Sequence, residues 1–222
     1  MAVQRAGLSR RELLKRAGLV GVAAAVPAGI VAPEAAPVRE LEARESFTAA
    51  EADTVQAVVS RLIPTDSSGP GAVEARVARY IDRALKADLA DQADAYAAGL
   101  AALDAYSNAT HGSRFRDLGT AQQDAVLTNM EANVAPGFSP DSRTFFNLVR
   151  EHAIQGMFSD PYYGGNADGA GWKLLGFPGI KLDVPERDQR LDVAPAEPGE
   201  ESTYDFVLFR PKGTKGGGRA GH

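Results

Sequence analysis

The chain has 222 residues, of which 44% are hydrophobic and 24% charged, with a formal net charge of −5 at neutral pH. It contains no cysteine, which excludes disulfides, thiolate metal sites, iron–sulfur ligation and the C-x-x-C-H attachment of a c-type haem. The acidic balance, with no basic patch interleaved with aromatics, argues against nucleic acid as a partner.

Residues 1–36 read as an export signal. The twin-arginine motif Ser9-Arg10-Arg11-Glu12-Leu13-Leu14-Lys15 precedes an apolar stretch from Ala17 to Val31 and then small residues and prolines up to Pro37. Gly18, Gly21, Pro27 and Gly29 interrupt the apolar stretch, which falls short of the roughly 20 residues a spanning helix needs. The segment is therefore an address for the twin-arginine translocase rather than an anchor, and cleavage is expected near Ala32 or Ala36. Its removal takes away five basic and two acidic side chains and moves the formal charge from −5 to −8.

A polar linker over residues 37–46 leads to a domain expected over 47–183, with residues 184–222 as a largely flexible tail. The first helix opens at a capping box, Thr48-Ala49-Ala50-Glu51, presents Ala52, Val55, Val59 and Leu62 on one face, and closes at Pro64. Turn formers fill the loop from Pro64 to Gly71. A second helix follows, with Val73, Val77, Tyr80, Ile81, Ala84, Leu85 and Leu89 inward and Glu74, Arg76, Arg79, Asp82, Arg83 and Lys86 largely on the wet side. A third, from about Asp91 to Ser107, carries Tyr96, Leu100 and Leu103 on an alanine-rich surface.

The fourth helix is expected to begin at the box Thr120-Ala121-Gln122-Gln123 and to present Val126, Leu127, Met130 and Val134. The fifth starts at Ser139-Pro140 and runs to about Phe158. These elements predict an all-α domain, a compact bundle of about five helices followed by an ordered loop segment rich in glycine and aromatics.

That segment, from His152 through Met157-Phe158-Ser159-Asp160-Pro161-Tyr162-Tyr163-Gly164-Gly165-Asn166 to Gly171-Trp172 and Gly176-Phe177-Pro178-Gly179, is the most unusual stretch of the chain. Its rings offer much surface to bury, within the chain or against a partner. Met157, Phe158, Asp160, Tyr162, Tyr163, Asn166 and Trp172 are the interface candidates. His152 shares a helix face with Phe145, Leu148, Val149 and Gly156, which favours a hydrogen-bonded core histidine. In the alternative reading, a stand-alone exported sugar oxidoreductase or hydrolase, His152 is the base and Asp160 orients it. The two lie more than two helical turns apart, so contact requires the chain to fold back after Phe158.

Other chemistry finds little footing. No Rossmann fingerprint, P-loop, nucleophile elbow or H-E-x-x-H occurs, and Asn166-Ala167-Asp168-Gly169 lacks the first and last carboxylates of a calcium loop. Gly216-Gly217-Gly218 has no helix after it to receive a phosphate. Tyr204-Asp205-Phe206-Val207-Leu208-Phe209 has strand-like content suited to a sheet edge or a groove.

The order of the twin-arginine signal, Phe47-Thr48 with Glu51, Leu62-Ile63-Pro64-Thr65-Asp66 with Gly69, Val77 with Tyr80-Ile81-Asp82, and the block from Gly156-Met157-Phe158 to Gly176-Phe177-Pro178-Gly179 resembles the gluconate 2-dehydrogenase subunit 3 family. The likeness covers residues 9 to about 183, and its last block is the specific one. The resemblance implies a small, non-catalytic subunit with no cofactor of its own. FAD is then expected in a large partner subunit of the glucose-methanol-choline type, which oxidises a sugar or alcohol, and in that family a multihaem cytochrome c often accepts the electrons. The implied role is to bind the flavoprotein, aid its maturation and supply its export signal. Location is then extracytoplasmic, with any membrane association made through the complex.

Overall fold

In the computed structural model, which describes residues 44–182, 184–192 and 202–209, the folded part begins where a buried carboxylate collects backbone donors. Asp82 accepts the amides of Glu45, Ser46 and Phe47 at 2.8, 2.8 and 2.7 Å. Three charge-assisted bonds fix the entering strand of chain and seat Phe47 in the core. The export signal and most of the linker lie outside the described residues.

Among the described residues six α-helices and no strand make the domain all-α, as the periodicity predicts. Helix α1 spans Ala49–Leu62, and its capping box is complete: the Thr48 amide donates to Glu51 Oε2, and the Glu51 amide donates to Thr48 Oγ1. Val55, Val58 and Val59 are buried, each aliphatic contributing about 1.5–3 kcal/mol relative to exposure.

Helix α2 spans only Val77–Ala84. The expected start at Val73 is corrected because Arg76, with φ 55°, stands in the left-handed region and interrupts the helix. Ala72 and Ala75 are buried all the same, carried on turns rather than on a helix. The expected wet position of Asp82 is corrected too, since its partners come from residues 45–47 and cover it.

Helix α3, Ala93–His111, extends beyond Ser107 and ends on Gly112, whose φ of 77° and amide bond to the Asn108 carbonyl form a left-handed C-cap. Helix α4 is Thr120–Glu131. Its cap is Gly119 rather than Thr120, and half of the expected box remains: the Gly119 amide donates to Gln122 Oε1 at 3.2 Å. Helix α5 is Ser142–Phe158, capped by Asp141, which accepts the Thr144 amide at 2.9 Å, while Ser139 and Pro140 precede it. That bond, with a second from the Thr144 hydroxyl to Asp141 Oδ2 at 3.0 Å, holds the Asp141 carboxyl below the usual range.

Helix α5 is the axis of the domain and packs against α1, α2, α3 and α4. Phe47, Tyr96 and Phe145 meet ring to ring at its centre, with centroids 5.7 and 5.9 Å apart along the row. Beyond its C-terminus comes a sixth, short helix, α6 at Ala170–Leu175, which also packs on α5 and which the hydrophobic period does not announce. No helix of the described residues is long and apolar enough to cross a membrane.

Candidate functional site

The segment after Phe158 is built on the end of α5 by one amide side chain. Asn166 is fully buried, with φ 43°, and its amide N–H donates to the Gly156 carbonyl at 2.7 Å. Its Nδ2 donates to the Ser159 carbonyl at 2.8 Å, and its Oδ1 accepts the Gly171 amide at 2.8 Å. Asn166 thereby satisfies a carbonyl at the end of α5 and a donor at the start of α6 together. Close approach requires glycine at two flanking positions. A Cβ on Gly165 would strike the Gly156 carbonyl, and one on Gly171 would strike the Met157 carbonyl.

Trp172 completes this joint. It is buried and donates its indole N–H to the Phe158 carbonyl at 2.9 Å. Met157 is fully buried in the core. Met157, Asn166 and Trp172, three of the interface candidates, are buried within the chain, whose own atoms cover them. Phe158 is half-buried against the same core. With Trp172, Leu175, Gly176, Phe177 and Pro178 it lines an open groove of about 450 Å³. Leu174, Leu175 and Phe177 are exposed.

Above this joint the chain displays two tyrosines. Asp160 accepts the Tyr162 amide on Oδ1 at 2.9 Å and the Thr203 amide on Oδ2 at 2.8 Å, which shapes the 3₁₀ turn Pro161–Tyr163. Arg83 donates to the Tyr162 carbonyl at 3.2 Å, and its Nε lies 3.5 Å from Glu45 Oε1. Tyr162 and Tyr163, each 39% exposed, meet edge to face at 5.4 Å. Tyr204 stacks on Tyr162 with centroids 3.9 Å apart, and its hydroxyl meets that of Tyr163 at 2.9 Å. That hydrogen bond, more than desolvation, pushes the Tyr163 phenol up to about 12.

His152 and Asp160 have separate partners. His152 is buried, shares a 3.0 Å hydrogen bond between its Nδ1 and the Tyr96 hydroxyl, and stacks on that ring with centroids 5.8 Å apart. Burial holds its imidazole below the ordinary histidine range. Asp160 spends both oxygens on backbone amides. Among the described residues, no three His, Cys, Asp or Glu side chains gather as a metal site, and Asn166 uses its amide on the backbone.

Sequence reasoning misses Arg83, Glu45 and Tyr204 as parts of this site. Helical period places Arg83 only on a solvated face, and its link to Tyr162 is a long-range contact that no local pattern signals. The hexamer starting at Tyr204 is expected to be strand-like, and that expectation is corrected. Ser202 accepts the Tyr204 amide at 3.0 Å, and Asp205 accepts the Ser202 amide at 2.9 Å, so Thr203–Asp205 forms a 3₁₀ turn. Local side-chain bonds to the backbone outcompete the extended form.

Comparison with known proteins agrees with this layout in one respect. The family model described as Gluconate 2-dehydrogenase subunit 3 matches residues 49–179, more than half of the chain, from the start of α1 to the end of the groove. No curated protein and no solved structure matches the chain.

Proposed function

Since the chain belongs to the gluconate 2-dehydrogenase subunit 3 family, and is thus an accessory subunit of a dehydrogenase complex, we propose that it is the non-catalytic carrier of an FAD-dependent catalytic subunit. It binds that flavoprotein of the glucose-methanol-choline type, aids its maturation and lends it the twin-arginine signal of residues 9–15 for export. The complex then works outside the cytoplasm on a sugar or alcohol, passing electrons onward where a cytochrome c subunit is present.

One observation carries this reading. The chain builds a hydrogen-bonded joint at the end of α5, from which Tyr162 and Tyr163 stand partly in solvent and Phe158 and Trp172 line an apolar groove. Aromatic anchors on a fixed frame, bordered by exposed leucines, suit a protein–protein contact. His152 and Asp160, the best pair for independent chemistry, are each held by other groups.

Purifying the chain alone tests this. Neither a flavin spectrum nor turnover of sugars with an artificial acceptor is expected, whereas activity without a second polypeptide would overturn the reading.

A further inference from the structure

We infer that residues 202–205 form a strap that stands in for the catalytic subunit on the tyrosine surface and is displaced when the complex assembles. This rests on the function proposed above and adds how the contact surface is covered and what chemistry uncovers it.

The strap lies beyond the family match, which ends at residue 179, and returns to the matched domain at Asp160, Tyr162 and Tyr163. Of the interface candidates outside the groove, these three are the ones the fold leaves unburied. The Thr203 amide donates to Asp160 Oδ2 at 2.8 Å, and the Tyr204 ring covers Tyr162 with centroids 3.9 Å apart. Tyr204 also meets Tyr163 edge to face, and their hydroxyls are bonded at 2.9 Å. A segment of this chain therefore already occupies the surface offered to a partner.

Its attachment is light. None of residues 202–209 belongs to the hydrophobic core, and Ser202, the one buried residue of the strap, makes its bonds within its own turn. Those local bonds, from the Tyr204 amide to Ser202 Oγ and from the Ser202 amide to Asp205 Oδ2, let the turn keep its shape when it leaves. Lifting it breaks surface contacts and opens no helix. Segments held in this way lie at the low end of local stability, in contrast to the fully buried joint at Asn166.

What the strap uncovers names what replaces it. Asp160 Oδ1 keeps the Tyr162 amide and Arg83 keeps the Tyr162 carbonyl, so the tyrosine turn holds its form once the strap has gone. Asp160 Oδ2, one face of Tyr162 and the hydroxyl of Tyr163 are then free together. The strap satisfies them with an N–H donor, a ring and a hydroxyl. The segment of the catalytic subunit that takes its place supplies the same pattern, an N–H donor to the carboxylate beside a flat side chain that stacks on Tyr162. A surface without that pattern cannot repay the strap's own contacts, so the strap filters partners as well as covering the site.

The test follows amide hydrogen exchange in the full chain, alone and in complex with the co-expressed flavoprotein. On assembly the Thr203 amide should exchange about tenfold faster or more, because its acceptor is taken, while the Tyr162 and Tyr163 amides exchange more slowly. Unchanged or slower exchange at Thr203 would overturn the strap, since the partner would then leave it in place or sit upon it. The double variant Thr203→Pro, Tyr204→Ala gives a second measurement. Proline suits the first position of a turn that follows extended Ser202, with ψ 151°, and removes the donor to Asp160, while the alanine removes the ring and hydroxyl. Helicity should be unchanged and the flavoprotein bound about threefold tighter or more, because the closed fraction no longer counts against binding. Equal or weaker capture by the variant would overturn the strap and leave the functional reading standing. If neither wild type nor variant captures the flavoprotein, the functional reading fails and the strap with it.

Discussion

The hydroxyls of Tyr163 and Tyr204 meet at 2.9 Å across 41 positions of chain, tying the end of α5 to a segment beyond the family-matched core. The bond requires a protonated phenol, and Tyr163 is pushed up to about 12 from 10.0 chiefly by it. A fold that favours the neutral phenol keeps this contribution in full below the unfolded value near 10.0 and loses it as pH rises through about 12. Tyr163→Phe should therefore lower stability near neutrality by what the bond contributes and abolish the further loss between those limits. Phenolate absorbance and thermal unfolding followed together over that alkaline range check this, and an unchanged alkaline limb in the variant would contradict it.

Asn166→Ala should be the most damaging change in the site. It removes the acceptor of Gly171 and the donor to Ser159 inside a buried joint, and leaves alanine at φ 43°. Stability is expected to fall by about 3 kcal/mol, which corresponds to roughly 6–12 °C in Tm for a domain of this size. Circular dichroism melts measure it, and a loss within about 0.5 kcal/mol would show that the joint tolerates the orphaned groups.

Asp82→Asn should free the entrance to the domain. The carboxylate serves three amides, and a carboxamide cannot replace both oxygens, so the cost is about 2–4 kcal/mol. Because Asp82 acts by seating Phe47, a double-mutant cycle with Phe47→Ala should give a coupling of about 1 kcal/mol or more in denaturant unfolding. Additive losses would mean that Phe47 holds its place independently.

His152→Gln separates structure from chemistry. Burial keeps the folded His152 below 6.5, with smaller opposite pulls from Glu151 and Asp91. Its contribution to stability is complete above that unfolded value and is lost as pH falls through the depressed folded one. The variant should show a shallower acid limb in unfolding and still assemble an active complex. Assembly with turnover abolished would assign His152 to chemistry.

The residues disclose the helical scaffold and conceal most of the site. Thr48 and Glu51 announce α1 because a capping box is local, and the spacing of Val126, Leu127 and Met130 reveals the buried face of α4 for the same reason. Arg76 gives no sign of its left-handed backbone, so the start of α2 is misplaced. Asp82 falls on the polar face by helical period, but a stretch of chain 35 to 37 residues away covers it. The glycine and aromatic segment is recognisable as ordered. Which of its rings face solvent depends on one buried amide, Asn166, and on a glycine-permitted approach between α5 and α6.

Replacing Arg10 and Arg11 with Lys, and following a co-expressed flavoprotein by fractionation, tests the carrier role most directly. Both polypeptides should stay in the cytoplasm with the variant and leave it with the wild type. Undiminished export of the flavoprotein beside a retained variant would contradict that role.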